Sequence, residues 1–374
     1  MGQRNGRPSI ASNSPAPRRA LVTGGAGFIG CNLVAALLRA GVEVTVFDNF
    51  SRAGSRRNLE WLRGLPGARR RLRILTGDVR RPDALAEACR DQQEIYHLAA
   101  QVAVTHSLLD PRLDFEVNLS GTFNLLEAAR HYAPGAFILF TSTNKVYGAL
   151  QNPPESGVDE RQPLDLHSPY GCSKGAADQY VRDYSRVYGL RSVVLRMSCI
   201  YGPRQNGTED QGWVAHFVFA ALRGEPIWIY GDGEQVRDLL YIDDLLAAME
   251  ALRTCPSSPG QVFNTGGGRA QARSVRQVLA AIEALSGRKF VIRQGPWRVG
   301  DQRVYISNTS KLRQFTGWQP KVGVEAGLDE LYRWARDVVQ RGEQVERPEA
   351  QTKGLPARPG LAPVKPAWAG EQVA

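Results

Sequence analysis

The amino-acid sequence predicts an α/β fold in which helices cover both faces of a doubly wound parallel sheet, with a smaller C-terminal lobe. Short apolar and β-branched runs alternate with helical patterns between residues 20 and 196. The strand candidates are apolar on both faces, as in a sheet buried between two helical layers. Beyond Tyr201 shorter segments follow, with loops rich in Gly, Asp and Gln, and these predict the second lobe.

The elements alternate along the first half of the chain. The predicted strands are 20–23, 42–47, 72–75, 95–98, 137–141 and 193–196, and the predicted helices between them are 28–40, 82–90, 115–132 and 169–187. Further helices are predicted at 242–253, 274–285 and 324–339.

Composition and rhythm together predict the domain organisation. Residues 1–18 are rich in Ser, Pro, Arg and Gly, and residues 342–374 are rich in Pro, Ala and Gly without periodicity, so we expect both to be disordered tails. Between the tails we assign 19–196 and 236–264 to the sheet domain, and 197–235 and 265–341 to the smaller lobe.

The charge is positive but concentrated. The chain holds 47 basic and 37 acidic side chains, for a net charge of +10. The first 19 residues contribute +4 and the arginine-rich stretch 52–81 contributes +8, which leaves −2 elsewhere. Because no basic stripe interleaved with aromatics continues through the chain, we expect no nucleic-acid partner and interpret 52–81 as a solvated surface.

Cysteine and histidine patterns indicate neither a disulfide framework nor a metal site. The five cysteines never form a C-x-x-C pair, and the five histidines show no H-x-x-x-H spacing. No secretory signal and no apolar run long enough to span a membrane is visible. We therefore expect a cytoplasmic protein with no metal and no membrane partner.

A glycine-rich turn joins the first predicted strand to the first predicted helix. Gly24, Gly27 and Gly30 are spaced G-x-x-G-x-x-G, and Gly25 adds a G-x-G-x-x-G match. Glycines let the backbone approach a pyrophosphate closely, and a helix N-terminus favours its negative charge. Asp48 ends the second strand, where an acid accepts hydrogen bonds from ribose hydroxyls and disfavours a 2′-phosphate. We predict NAD rather than NADP, although Arg52 and Arg56 stand nearby.

Tyr170 and Lys174 are four residues apart on a predicted helix and so share one face. A nearby ammonium group is expected to lower the pKa of the phenol, which makes Tyr170 a candidate general base for a sugar or alcohol hydroxyl. Thr143 follows the fifth strand, at the sheet edge where ligands bind, and is a candidate for relaying the proton. We assign these three as catalytic.

These motifs resemble the extended short-chain dehydrogenase/reductase superfamily, whose members have a Rossmann domain and act on nucleotide sugars. The resemblance covers about residues 19–340 and includes the glycine turn, Asp48, Asp78, Asn118, Thr143 and the Tyr170/Lys174 pair. It implies NAD bound by Gly24, Gly27, Phe28, Ile29, Gly30, Asp48, Asn49, Asp78, Val79, Leu98, Ala99, Ala100, Asn118, Tyr170 and Lys174. It implies a nucleotide-diphosphate sugar bound by Thr143, Asn144, Gln211, Trp213, Arg237 and Arg298, with the two arginines on the diphosphate.

The two residues after Thr143 indicate the type of reaction. Dehydratases of the superfamily carry Asp-Glu there and uronate decarboxylases usually carry Glu, whereas this chain has Asn144-Lys145. Epimerisation needs no such acid. The stretches 142–148, 170–180 and 210–214 resemble the CDP-sugar 2-epimerases of the superfamily, which implies inversion at C2 of a CDP-linked deoxyhexose.

Three alternatives remain open. The same residues could serve a UDP-hexose or UDP-uronate 4-epimerase, or the chain could be a silent NAD-binding scaffold, or its basic segments could bind nucleic acid. Superfamily members often dimerise through a four-helix bundle built from helices such as 115–132 and 169–187, so we also expect a homodimer.

Overall fold

The computed structural model describes residues 18–150, 153–298 and 301–342. Apart from Arg18 and Gly342 at their borders, the tails expected at 1–18 and 342–374 lie outside the described residues.

Strands and helices alternate along the described chain. Its strands are β1 (Arg19–Thr23), β2 (Glu43–Asp48), β3 (Leu72–Thr76), β4 (Glu94–His97), β5 (Phe137–Thr143), β6 (Arg191–Met197), β7 (Cys199–Tyr201), β8 (Ile227–Tyr230), β9 (Val236–Tyr241), β10 (Val262–Thr265), β11 (Ala272–Ser274), β12 (Ile292–Gly295) and β13 (Val304–Tyr305). Its α-helices are α1 (Phe28–Arg39), α2 (Ser55–Arg63), α3 (Ala68–Arg71), α4 (Pro82–Cys89), α5 (Val104–Leu109), α6 (Pro111–Phe115), α7 (Gly121–Tyr132), α8 (Ser168–Tyr188), α9 (Trp213–Arg223), α10 (Ile242–Thr254), α11 (Val275–Ser286), α12 (Ser310–Thr316) and α13 (Val324–Gln340). A π-helical turn spans Glu116–Ser120, and 3-10 turns span Asn144–Tyr147 and Arg269–Gln271.

The central sheet contains seven of the described strands, in the order β10-β6-β5-β4-β1-β2-β3, and all its pairings are parallel. The side chains of β1 alternate between two hydrophobic cores. Ala20 and Val22 pack with α1 on one face, and Leu21 packs with α7 residues on the other. The predicted doubly wound fold, with helices on both sides of a parallel sheet, is confirmed.

The smaller sheets follow in the second half of the chain. Strands β7, β9, β11 and β13 form one of them, and β8 pairs with β12. Of the stretch 236–264 that we assign to the sheet domain, β10 lies in the central sheet and β9 lies in the smaller one. The exact domain boundaries stay a prediction.

The topology places a crevice at the carboxyl edge of the central sheet. Successive crossovers run in opposite directions from β1, since β2 and β3 lie on one side of it and β4, β5 and β6 on the other. Ligands bind at such a switch point. Thr23 at the end of β1 pairs with His97 at the end of β4, so the glycine turn and the residues after β4 meet there. No described helix has the length and apolarity needed to cross a bilayer.

Candidate active site

The glycine turn brings the end of β1 against the residues after β4. The Gly24 amide donates to the carbonyl oxygen of Phe47 at 2.8 Å, and Gly24 has a positive φ of 67°. A Cβ atom on Gly24 would lie 2.8 Å from the backbone nitrogen of Ala99, and one on Gly30 would collide with the Gly24 carbonyl oxygen. Both positions therefore require glycine.

Helix α1 begins directly after this turn. Its N-cap is Gly27, and no described side chain caps it. The amides of the first helical residues, Phe28, Ile29 and Gly30, therefore have no intrahelical acceptor and face the crevice as a site for an anion. The close backbone and the uncapped helix fit a dinucleotide pyrophosphate.

Asp48 lies at the end of β2, beside the same turn. Its carboxylate accepts from the Ala26 amide at 3.0 Å and from the Phe50 amide at 2.8 Å. Burial raises its pKa, and these amide bonds oppose the rise. The carboxylate thus joins the glycine turn to the loop after β2, which is the place predicted for the ribose of NAD.

Three further residues predicted to bind NAD, Asn49, Asp78 and Val79, lie near the ends of β2 and β3. Asn49 donates to Asp78 at 3.1 Å. Hydrogen bonds from the Arg80 side chain lower the pKa of Asp78 to about 2, against a smaller opposing effect of burial. Val79 is buried, and its side chain leaves no room for a Cβ atom on Gly121.

Leu98, Ala99 and Ala100, also predicted to bind NAD, form a segment that is tied to β1 and to the π-helical turn. The amides of Leu98 and Ala99 donate to Thr23, at 3.1 Å to its carbonyl oxygen and 3.3 Å to its hydroxyl. After Ala100, the Gln101 amide donates to Asn118 Oδ1 at 2.9 Å, and Asn118 Nδ2 donates back to the Gln101 carbonyl oxygen at 3.0 Å. Asn118 therefore fixes the end of this segment.

Tyr170 is buried near the start of α8 and faces Thr143 at the end of β5. Burial raises the pKa of Tyr170 to about 12, while a hydrogen bond with Thr143 and the charge of Arg52 act to lower it and Asp114 acts to raise it. The structure thus brings together the phenol and the hydroxyl that the sequence predicted to act together.

Lys174 does not act on the phenol as we expected. Its Nζ donates to the carbonyl oxygen of Thr141 at 2.6 Å and lies 4.2 Å from the centre of the Phe140 ring. Burial lowers the pKa of Lys174 to about 7, although Asp178 and Asp114 oppose the change. The expectation that this ammonium lowers the Tyr170 pKa is wrong for the described structure, because burial of the phenol dominates and Lys174 is bound to the backbone of β5.

Thr143 and Asn144 connect the edge of the central sheet to the second lobe. Thr143 Oγ1 accepts from the Lys145 amide at 3.2 Å and donates to Asn144 Oδ1 at 3.3 Å. Asn144 Nδ2 donates to Gln302 Oε1 at 3.2 Å, and Gln302 Nε2 donates to the Gly148 carbonyl oxygen at 2.7 Å. The turn after Thr143 is therefore held by a residue more than 150 positions away.

Arg237 lies in β9 and shares one carboxylate with Lys145. Arg237 Nη2 lies 2.7 Å and Lys145 Nζ 3.3 Å from Asp301 Oδ1. Burial acts to raise the pKa of Asp301, but the positive charges of Lys145 and Arg237 hold this pKa below its ordinary value. Two cations facing one anion leave this part of the site positive, as binding of a diphosphate requires.

Arg298, Gln211 and Trp213 lie around one loop of the second lobe. Arg298 Nη1 donates to the carbonyl oxygen of Glu209 at 3.0 Å, and Gln211 Oε1 accepts from Arg52 at 3.0 Å. Trp213 begins α9 and hydrogen-bonds with Cys199, a partly buried thiol whose pKa burial raises to about 12. Arg237 and Arg298 therefore have separate partners: Arg237 pairs with Asp301, whereas Arg298 contacts Glu209 and Asp210.

Several residues that shape this site were missed by sequence reasoning. Arg52 lies in the stretch that we interpreted as a solvated surface. It is exposed, as Arg63, Arg69 and Arg70 are, but it also donates to Gln211. Lys145, Asp301 and Gln302 carried no local signal, because their partners are 64 to 158 residues away. Within the described ranges, no cluster of His, Cys, Asp or Glu is arranged to hold a metal ion.

Comparison with known proteins agrees with this geometry. Residues 21–331 match the family model described as GDP-mannose 4,6 dehydratase. The CDP-paratose 2-epimerase of Salmonella typhi is 39% identical over 85% of this chain and 99% of its own length.

Solved structures include both epimerases and dehydratases. The UDP-glucose 4-epimerase of Thermus thermophilus, crystallised with NAD, is 36% identical with a TM-score of 0.75 over 85% of this chain and 99% of its own. DesIV of Streptomyces venezuelae, a dTDP-glucose 4,6-dehydratase solved with NAD bound, is 31% identical with a TM-score of 0.78 over 88% of this chain and 100% of its own. The chain therefore belongs to the GDP-mannose 4,6-dehydratase family, the NAD-dependent nucleotide-sugar epimerases and dehydratases of the extended short-chain dehydrogenase/reductase superfamily.

Proposed function

We propose that this protein is an NAD-dependent epimerase that inverts C2 of a CDP-linked deoxyhexose such as CDP-paratose. The observation that carries the proposal is the meeting of Tyr170 and Thr143 at the crevice edge, beside a glycine turn that a Cβ atom would obstruct. The 39% identity to a CDP-paratose 2-epimerase supports the choice of substrate.

The cofactor site is supported by the residues that surround the glycine turn. Gly24, Gly30 and the uncapped start of α1 fit the pyrophosphate, and Asp48 fits the adenosine ribose. NAD bound here would accept the hydride that leaves the sugar, and the reduced cofactor would donate a hydride back. Lys174, buried beneath the crevice, is proposed to hold the nicotinamide ribose.

The proton step is assigned to Tyr170. Its phenolate oxygen accepts the proton of the C2 hydroxyl, and the same proton returns when the hydride is returned to the other face. Thr143 Oγ1 holds the reacting hydroxyl in line with the phenol. Because burial raises the Tyr170 pKa to about 12, the groups that favour phenolate, Thr143 and Arg52, directly affect the rate.

Anchoring of the substrate is assigned to the arginines. Arg237 and Arg298 are proposed to grip the diphosphate while the sugar turns between two orientations. The shared carboxylate of Asp301 keeps Arg237 in place, because it accepts from Arg237 and from Lys145 at once. Anchoring at the diphosphate leaves the pyranose free to rotate.

The residues around Thr143 favour epimerisation over elimination. Removing water from an oxidised sugar needs a proton donor beside the leaving hydroxyl. Asn144 has no acid, and Asp301 is held ionised by two cations. The position after Thr143 therefore lacks the group that elimination would use.

A second candidate is a UDP-hexose or UDP-uronate 4-epimerase. The 36% identity and 0.75 TM-score to a UDP-glucose 4-epimerase favour it. The same Tyr170 would then act on the C4 hydroxyl, with the sugar turned in the site.

We also propose a homodimer formed through α7 and α8. Phe123 on α7 is 42% exposed, and Tyr180 and Tyr188 on α8 are 45% and 51% exposed. Between ring centres, Phe123 lies 6.0 Å from Tyr180, and Tyr184 lies 6.5 Å from Tyr180 and 4.8 Å from Tyr188, so these rings form a continuous patch. Two such helix pairs would cover each other as a four-helix bundle.

The experiment is a parallel assay of the purified protein with CDP-paratose and UDP-glucose, followed by NMR of the recovered sugars. The proposal predicts inversion at C2 of the CDP sugar and no reaction at C4 of UDP-glucose. Inversion at C4 of UDP-glucose alone would favour the second candidate, and reaction with neither sugar would reject both substrates.

A further inference from the structure

Two segments from opposite sides of the crevice meet over the site. The first, called here the arginine segment, comprises residues 49–64, which leave the end of β2 and form α2. The second, called the cover loop, comprises residues 202–212 between β7 and α9. They meet at two places: Arg57 and Trp61 contact the base of the cover loop, and at its tip Arg52 Nη2 donates to Gln211 Oε1 at 3.0 Å.

The base of the cover loop is fixed to the cofactor half. Asn32 of α1 donates to the carbonyl oxygen of Pro203 at 3.0 Å. The Arg204 guanidinium lies 3.9 Å from the centre of the Trp61 ring, and Arg57 donates to the side chain of Asn206. These contacts hold the base of the loop firmly, whereas its tip reaches the arginine segment through the exposed Arg52.

The tip is also held from the second lobe. Arg298 Nη1 donates to the Glu209 carbonyl oxygen at 3.0 Å, and its Nη2 lies 3.6 Å from a carboxylate oxygen of Asp210. Thr208 and Gln211 bond to each other through their backbones, which makes the tip one compact turn. The tip of the cover loop therefore has contacts with Arg298 on one side and with Arg52 on the other.

Arg52 affects one of the reacting groups as well as the loop. Its positive charge acts on the Tyr170 phenol and favours the phenolate. The contact between Arg52 and Gln211 thus ties the cover loop to a residue whose charge acts on the Tyr170 phenol. Losing this contact would free the tip of the cover loop from the arginine segment, while the base of the loop stays held.

We propose that Arg52 is a positioning residue whose bond to Gln211 keeps the cover loop closed while the oxidised sugar turns. The inference rests on the proposed function. Oxidation of the carbinol moves its hydride to the cofactor and its hydroxyl proton to Tyr170, and leaves a ketone. The ketone must stay until both return, since a ketone that escapes leaves one reduced cofactor behind. Exclusion of solvent by a closed loop is a common means of retaining such an intermediate.

The first test needs no substrate. Arg52→Met and, as a matched control, Arg70→Met are made in the NAD-loaded protein, because both arginines are exposed and Arg70 lies on α3. Hydrogen exchange followed by mass spectrometry is predicted to show faster exchange of the cover-loop amides in Arg52→Met by roughly tenfold, the effect of losing one hydrogen bond from a charged donor. The control should exchange as the wild type does, and Arg52→Lys should recover part of the protection. Unchanged exchange in Arg52→Met would overturn the inference, whether or not the proposed function holds.

The second test measures escape of the ketone. Each variant is incubated with CDP-paratose, the protein is removed by rapid filtration, and the filtrate is reduced with borodeuteride, which marks any free ketone with deuterium. Arg52→Met is predicted to release roughly ten times more ketone per turnover than wild type, with an equal amount of cofactor left reduced. Equal release from the two proteins would overturn the inference. If the wild type does not act on CDP-paratose, the proposed function fails, and the exchange experiment alone decides whether the Arg52–Gln211 contact holds the loop closed.

Discussion

A buried phenol is a poor base until its surroundings favour the ionised form. Burial raises the Tyr170 pKa to about 12, and the described groups that oppose this are Thr143 and Arg52. Neither is a sequence neighbour of Tyr170. The reactivity of this residue is therefore set by the fold, which brings the end of β5 and the loop after β2 to the start of α8.

Replacing Tyr170 by Phe removes the proposed base without changing the shape of the buried ring. We expect epimerisation to fall by roughly 10²–10⁴-fold, as for the loss of a general base, while NAD remains bound. The measurement is turnover of CDP-paratose together with the cofactor content of the purified variant. Tyr332→Phe on α13, away from the crevice, is the matched control. Wild-type turnover in Tyr170→Phe would show that another group takes the proton.

Lys174 should make the stability of the protein depend on pH. Burial lowers its pKa to about 7 in the folded state, whereas an unfolded lysine titrates at roughly 10.4. Between these values the unfolded chain binds a proton that the folded protein does not, so the free energy of unfolding rises with pH across this window. Replacing Lys174 by Met should remove this rise and add about 1–3 kcal/mol of stability at the lower end of the window.

Urea unfolding of the NAD-free protein at both ends of the window measures this effect. Lys289→Met serves as the control, because the Lys289 side chain is 89% exposed. If Lys174→Met and Lys289→Met keep the same pH dependence as the wild type, Lys174 is charged in the folded protein throughout.

Sequence reasoning could identify residues whose signal is local. Tyr170 and Lys174 are four residues apart on one helix, so their spacing was visible. The same holds for Gly24, in the strand-to-helix turn, and Gly30, in the first turn of α1. The partner of Lys174 was not visible, because the Thr141 carbonyl oxygen belongs to a strand more than 30 residues away. The pKa of the phenol was misjudged for the same reason, since burial depends on the whole fold.

At the scale of elements, the join between β1 and α1 forms the centre of the proposed cofactor site. The strand ends at Thr23, the turn needs a positive φ at Gly24, and the helix starts uncapped at Phe28. The residues of this join are close together in sequence and the turn requires glycine, which explains why it was predicted almost residue for residue. The cover loop lies at the other extreme, since its contacts join residues up to 171 positions apart.

Gly30 tests the close packing of this join. A Cβ atom there would collide with the Gly24 carbonyl oxygen, so Gly30→Ala should shift the turn, weaken NAD binding at least tenfold and destabilise the fold by about 1–3 kcal/mol. Calorimetric titration with NAD and thermal unfolding measure the two effects. In Gly135→Ala the new methyl group has no atom within 4 Å, so this variant should behave as wild type. Normal NAD affinity in Gly30→Ala would show that the pyrophosphate lies elsewhere.

At the scale of the whole molecule, the alternation of strands and helices in the sequence was enough to predict the architecture. It did not show which residues of each lobe would meet at the site. The proposed site takes its hydroxyl, Thr143, from the end of β5 and its base, Tyr170, from α8, and the proposed diphosphate arginines come from β9 and from the segment after β12. The pairs Asn144–Gln302 and Arg237–Asp301 join these parts. Such pairs bring together residues that are distant in sequence, so neither hydrophobic periodicity nor a local motif indicates them.

The proposed dimer is also a property of the whole molecule. Phe123→Asp places a charge in the centre of the exposed patch on α7 and α8, so we expect the dimer to dissociate into folded monomers. Sedimentation velocity measures the change in mass, and circular dichroism verifies the fold. Trp228→Asp, at a ring of similar exposure in β8, should leave the dimer intact. A wild-type protein that sediments as a monomer would contradict the proposed dimer.

The most direct test of epimerisation by hydride removal and return uses CDP-paratose carrying deuterium on C2. Incubation with the purified protein in ordinary water, followed by NMR and mass spectrometry, reports both the configuration at C2 and the fate of the label. We expect the 2-epimer to form with the deuterium still on C2, because the hydride that Tyr170 helps to release returns to the same carbon. Loss of the deuterium to water, or an unchanged configuration at C2, would contradict this mechanism.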